Sequence, residues 1–166
     1  MELHTIHNPD QNKILHKKCV AFDFTKYEKK EIKAMVVEMR KKMHEWHGIG
    51  LAATQIGRNE QFFVARPPEG KFYAVFNPKI TKTEGKLILM EEGCLSIPNQ
   101  YGEVPRYEKL VLEGQDQNGK KIKIKAWGML AHIFQHEYDH LQGVLYADKT
   151  SAALRTYEYE RKYEKK

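Results

Sequence analysis

Near the C-terminal end of the chain, His136 and His140 stand four residues apart, and Glu137 follows the first of them. On a helix, this His-Glu-x-x-His spacing sends both imidazoles off one face, one turn apart, where they can grip a single metal ion. A carboxylate beside the first ligand, here Glu137, can reach a water on that metal, so the segment holds the parts of a hydrolytic centre. Such a centre needs three protein ligands and one open position. His132 lies one turn before His136, yet it is eight residues from His140, about 12 Å along a helix axis. Bonds of about 2 Å are strained across two turns, so a ligand from another segment is favoured. Cys94 is the best candidate, within Glu91-Glu92-Gly93-Cys94-Leu95-Ser96-Ile97-Pro98 and just after a strand-like run. Gly93 permits close backbone approach there, and Pro98 is expected to end regular pairing. Each signal alone has a plain alternative: a single cysteine is commonly a small buried hydrophobe, and His-Glu-x-x-His arises by chance in helices. Cys19 has no motif around it and is assigned to the core.

The elements that must position these groups are legible in the pattern. Residues 129–141 are apolar on most sides, which predicts a helix buried in the middle of the protein, with Gly143 placed to end it. Thr25 and Glu28 have the spacing of a capping box, and Ile32, Met35, Val36, Met39 and Met43 then recur at helical spacing until Gly48, predicting an amphipathic helix of roughly twenty residues. Strand-like runs follow at 61–66, 72–76, 86–91, 110–113 and 121–126. Turn signals at Pro67-Pro68, Asn77-Pro78 and Asn118-Gly119 separate them, the last predicting a hairpin. Lys121, Lys123 and Lys125 alternate with Ile122 and Ile124, which reads as a solvated strand face. Thr150 or Ser151 is expected to cap a final polar helix over about 150–166. The pattern is α+β: antiparallel or mixed sheets around a buried metal-binding helix, with helices at either end.

A chain of 166 residues fits one catalytic domain with one sizeable core. No apolar run approaches the roughly 20 residues of a membrane helix, and the N-terminus lacks the basic and apolar regions of a signal peptide, so no membrane partner is expected. Two widely separated cysteines do not make a disulfide scaffold, and a reducing cytoplasm is the expected location, or an organelle if a targeting segment has been trimmed. The net charge of +6 is a weak pointer to acidic partners.

Three segments together resemble the peptide deformylase family. Gly48-Ile49-Gly50-Leu51-Ala52-Ala53-Thr54-Gln55 fits its G-φ-G-φ-A-A-x-Q motif, Glu92-Gly93-Cys94-Leu95-Ser96 fits E-G-C-L-S, and Gln135-His136-Glu137-Tyr138-Asp139-His140 fits Q-H-E-x-D-H. They stand in the family's order at similar spacing, and Asn8-Pro9-Asp10 and Asn77-Pro78 also look like it. The resemblance implies that Cys94, His136 and His140 bind a divalent metal, natively Fe(II); by donor chemistry zinc, nickel or cobalt would also suit. It implies that Glu137 is the general acid/base and that the Gln55 side chain and the Leu95 backbone N–H stabilise the oxyanion. The substrate it implies is an N-formyl-methionyl nascent peptide; Gly48, Ile49 and Gly50 are expected to present extended backbone to it, and His132 and Ile133 to lie at its methionine pocket, although His132 reads equally as a satisfied core histidine. Two positions depart from the usual pattern: His132 stands where many members have an apolar residue, and Tyr101 where many bacterial members have arginine. Residues 149–166 hold six Lys/Arg against three Glu, and in some members a C-terminal helix docks on the ribosome; no sequence-specific nucleic-acid motif accompanies that charge.

Three rivals are weaker. A His-Glu-x-x-His metallopeptidase needs a third His or Glu ligand downstream, and no histidine follows His140. A catalytically silent deformylase-like binding protein would not need Glu137 and Gln55 intact. A structural zinc domain would use four ligands, and only three converge.

Overall fold

In chain order the computed structural model, which describes residues 1–150 and 152–156, runs α1 (Pro9–Leu15), α2 (Lys29–Glu45), β1 (Gly50–Ala52), β2 (Phe62–Ala65), β3 (Tyr73–Cys94), β4 (Ile97–Gln115), β5 (Lys121–Trp127), α3 (Gly128–Leu141) and β6 (Arg155–Thr156). The six strands form one sheet in the order β1-β2-β3-β4-β5, with β6 on a second edge of β4. Every pairing between named strands is antiparallel, and the parallel contact among the described residues is an isolated bridge between Val20 and Glu60. The α+β expectation holds, with a single antiparallel sheet.

The predicted amphipathic helix is α2. Ile32, Val36, Met39 and Met43 are buried on one stripe and pack in one core with Phe62, Phe63, Val75 and Phe76 of the sheet. Burying each of these side chains contributes about 1.5–3 kcal/mol before entropy is counted. Its boundaries differ from expectation. Glu28, not Thr25, is the N-cap: its side chain accepts from the Glu31 N–H while the Glu31 side chain accepts from the Glu28 N–H. Thr25 instead sits in a short 3-10 turn (Phe24–Lys26) capped by Asp23. At the other end His47 takes the left-handed conformation (φ 58°) and Gly48 N–H reaches back to the Met43 carbonyl at 2.8 Å, a Schellman closure one residue earlier than the glycine. The preceding α1, capped by the Asn8 side chain with Pro9 in the first turn, carries no periodic stripe long enough to be read from sequence.

The runs at 72–76 and 86–91 are one 22-residue strand. Asn77-Pro78 is not a turn but a bulge within it: Asn77 adopts φ 48° and its side chain replaces the missing ladder bonds, accepting from Phe22 N–H at 2.7 Å and donating to Phe22 O at 3.0 Å and Gln115 Oε1 at 2.9 Å. β3 returns through a two-residue connection, Cys94 opposing Ile97, into β4. Pro98 therefore lies inside β4 near its start, where a missing N–H is tolerated, rather than ending the pairing. The Asn118-Gly119 hairpin is as expected: Gly119 has φ 78°, and Asp116 accepts the N–H groups of Asn118 and Lys120. On β5, Lys121, Lys123 and Lys125 are exposed while Ile122 and Ile124 turn toward the core.

α3 is the central helix, packed against β1, β2, β3, β4 and β5. Gly143, in the left-handed region at φ 74°, ends it as predicted, with Gly143 N–H bonded to His140 O and Val144 N–H to Asp139 O. The expected C-terminal helix is not formed over 152–156: Arg155 and Thr156 are a short strand opposite Tyr101 and Gln100. Ser151 and residues 157–166, the rest of that expectation, lie outside the described residues. Among the described residues no helix is long and apolar enough to cross a membrane.

Candidate metal centre and cleft

The three motif segments meet at one cleft of about 530 Å³. α3 supplies His136, Glu137 and His140; the β3–β4 connection supplies Cys94 and Leu95; the 3-10 turn Ala53–Ile56 supplies Gln55. One ligand atom each from Cys94, His136 and His140 lies within 4.8 Å of the others, and Cys94 Sγ is 3.3 Å from His140 Nε2. His132 is not in this group, in line with the two-turn argument.

The donor set fits a cation. His136 gives its Nδ1–H to Glu92 Oε2 at 2.7 Å, which fixes the tautomer and leaves Nε2 with its lone pair. Burial and the neighbouring His136 hold His140 well below the usual histidine range, so it stays a neutral ligand. Burial disfavours charge on His136 too, but the hydrogen bonds to Cys94 and Glu92 outweigh it and lift it well above that range: the cluster attracts positive charge.

Behind the ligands lies a buried ionic support. Arg106, 2% exposed, donates from Nε and Nη2 to Glu92 at 2.5 and 3.0 Å and from Nη1 to Asp139 Oδ2 at 2.5 Å; Lys149 also reaches Asp139, at 2.6 Å. Burial alone would raise the Glu92 carboxyl, but hydrogen bonds from His132, His136 and Arg106 hold it well below the usual carboxylate range. Sequence reasoning gave Glu92, Arg106 and Asp139 no roles. One signal was available: Val104, Arg106, Leu110 and Leu112 fall on the inward row of β4, and an arginine in that row demands a buried carboxylate partner.

The remaining predicted residues divide cleanly. Glu137 is 3% exposed, its Oε2 has no hydrogen-bond partner among the described residues, and burial, with Glu92 nearby, pushes its carboxyl up to about 7. A buried, unpartnered carboxyl at the cleft is what a proton carrier requires. Gln55 is oriented by its own backbone: Ala52 N–H donates to Oε1 at 2.9 Å, which turns the amide nitrogen toward Ser96 Oγ (3.2 Å) and Cys94 Sγ (3.5 Å). Its donor therefore faces the metal ligands. Gly48, Ile49, Gly50, Leu95, His132 and Ile133 all line the cleft, as does Tyr101, whose ring lies over Gly93. Gly50 is in van der Waals contact range of the Glu137 side chain, so that any Cβ at this position would overlap the carboxyl group. β1 is the first strand of the sheet order, so its edge away from β2 has no sheet partner among the described residues.

Fold and site together set a His-Glu-x-x-His helix against a cysteine from a β-hairpin, a donor set that fits one metal ion. The chain belongs to the polypeptide deformylase family, whose model matches residues 4–156. It is 46% identical over 120 residues to a peptide deformylase of Symbiobacterium thermophilum, covering 71% of this chain and 55% of that one. It is 44% identical over 121 residues to one of Halothermothrix orenii, covering 72% and 78%. Among solved structures, a peptide deformylase from Synechococcus elongatus in complex with actinonin is similar at TM-score 0.83 and 34% identity, over 92% of this chain and 79% of that one.

Proposed function

We propose that the chain hydrolyses the N-formyl group of formyl-methionyl peptides, releasing formate and a free α-amine. The observation that carries this is the convergence of a Cys94–His136–His140 donor set with a buried, unpartnered Glu137 carboxyl and an amide donor from Gln55. We assign Cys94, His136 and His140 as metal ligands, with Fe(II) as the native ion on the strength of the family resemblance. A divalent cation held there would polarise the formyl carbonyl and bring the pKa of water toward neutrality. Glu137 then has two tasks for which a carboxyl near 7 is balanced: it takes the proton of the attacking water and delivers it to the leaving nitrogen, which departs as a neutral amine. Gln55 Nε2–H and the Leu95 N–H donate to the oxygen as it gains charge; losing one such donor costs about 3 kcal/mol. Gly48–Gly50 present backbone to a peptide that pairs as an added strand along the open edge of β1, and His132 and Ile133 face the methionine side chain. The protein acts on nascent chains in the cytoplasm or an organelle, with the basic residues after Lys149 giving weak affinity for ribosomal RNA phosphate.

The test is formate release from formyl-Met-Ala-Ser by anaerobically prepared protein, then by the same protein stripped with a chelator and reloaded. Turnover that disappears on stripping and returns with Fe(II), Ni(II) or Co(II) supports the reading; turnover indifferent to the chelator with metal gone refutes it.

A further inference from the structure

Glu92 receives two imidazoles, not one. His136 Nδ1 meets Oε2 at 2.7 Å and His132 Nε2 meets Oε1 at 2.8 Å, while the Arg106 guanidinium bridges both oxygens from a different direction. The two histidines are one helical turn apart, and together they straddle the carboxylate. Among the described residues His132 Nδ1 is buried without a hydrogen-bond partner, and the bond to Glu92 is the polar attachment of this ring. The ring is otherwise placed at the cleft wall, with a side chain 12% exposed. A residue there only to shape an apolar pocket would need no polar atom, and burying an imidazole is favourable only where its N–H is satisfied.

We propose that His132 is a positioning residue for the metal centre: it pins one oxygen of Glu92 so that the other holds His136 with Nε2 aimed at the ion. This rests on the reading of Cys94, His136 and His140 as metal ligands. Arg106 reaches both oxygens of Glu92 from β4, and the bonds from His132 and His136 both come from α3, one to each oxygen. Partners bonded directly to a metal ligand, as Glu92 is to His136, typically change metal affinity by about 10–100-fold when lost; His132 acts one bond further out, through Glu92, so its effect falls at the lower end of that range or below it.

The experiment uses full-length protein loaded with Co(II), and reads transfer of the metal to a chromogenic chelator, the cobalt visible spectrum, and KM and kcat for formyl-Met-Ala-Ser. His132→Leu should release cobalt several-fold faster, up to about tenfold, with an altered visible band and a loss in kcat rather than KM. His132→Gln, whose amide nitrogen can reach the position of Nε2, should restore slow release. His132→Asn, too short to reach Glu92, should behave like leucine; this pair decides the matter if the leucine variant does not fold. Cobalt release at the wild-type rate from His132→Leu or His132→Asn, with only KM changed, overturns the proposal and makes His132 a pocket wall. If the wild type itself takes up no cobalt, the metal reading fails and this inference falls with it.

Discussion

Gly50→Ala is a one-carbon change that should disable Glu137, the carboxyl we propose as proton carrier, while leaving the metal in place. A Cβ at this position would lie 2.6 Å from Glu137 Cδ and 3.0 Å from Cγ, and would overlap Oε1 outright. Ordinary contact begins at 3.4 Å, so the carboxyl carbon must retreat by about 0.8 Å. Glu137 is 3% exposed on a helix packed against five strands, so it can yield only by leaving its working position. A displacement near 1 Å from productive geometry can cost about 10²-fold, or about 2.7 kcal/mol of transition-state stabilisation. The loss should appear in kcat for formyl-Met-Ala-Ser, with metal content unchanged, because the new methyl meets Glu137 and not Cys94, His136 or His140. Wild-type kcat in a fully metallated Gly50→Ala protein would refute the placement of Glu137. A pure rise in KM would mean that the methyl obstructs substrate instead.

Glu137→Gln should retain one metal per chain but lose turnover by at least about 10²-fold, since an amide cannot carry the proton; activity proportional to folded protein would make Glu137 merely structural. Glu92 has a folded-state pKa below its ordinary 4.5, so its contribution to stability is present above pH 4.5 and is lost as pH falls toward the folded value. Urea unfolding of metal-free Glu92→Gln should therefore show a large deficit against wild type at pH 7 that narrows on acidification below 4.5; a deficit independent of pH would contradict the ionic account. Arg106→Leu should cost about 3–5 kcal/mol by leaving Glu92 buried without its guanidinium, measured in the same unfolding experiment at pH 7. Truncation after Thr156 should leave small-peptide turnover unchanged, whereas truncation after Ala153 removes β6 from the cleft-lining residues Gln100 and Tyr101 and should lower it; equal rates for both would make β6 incidental.

What could be read from the sequence follows the range of the interactions concerned. The α3 ligands, the capping glycine and the α2 stripe depend on residues three and four apart, so local period exposes them. The Asn118-Gly119 hairpin has its own turn chemistry and was equally legible. Glu92 and Arg106 come together only through a long hairpin, from positions 14 residues apart, and no local pattern pairs them. Asn77-Pro78 misleads because its bulge is made tolerable by Phe22, 55 residues away. The two-residue β6 is specified by its partner strand and not by its own composition, so helical propensity is the wrong guide over 152–156.

The central claim is that this site cleaves a formyl amide, and mass analysis of the products from formyl-Met-Ala-Ser with Fe(II)-loaded protein tests it most directly. The expected result is formate in one-to-one yield with Met-Ala-Ser bearing a free α-amine and an intact Met–Ala bond. Formyl-Met with free Ala-Ser would show a metallopeptidase instead, and unreacted substrate at full metal occupancy would contradict the assignment of Glu137, Gln55 and the three ligands as a working catalytic site.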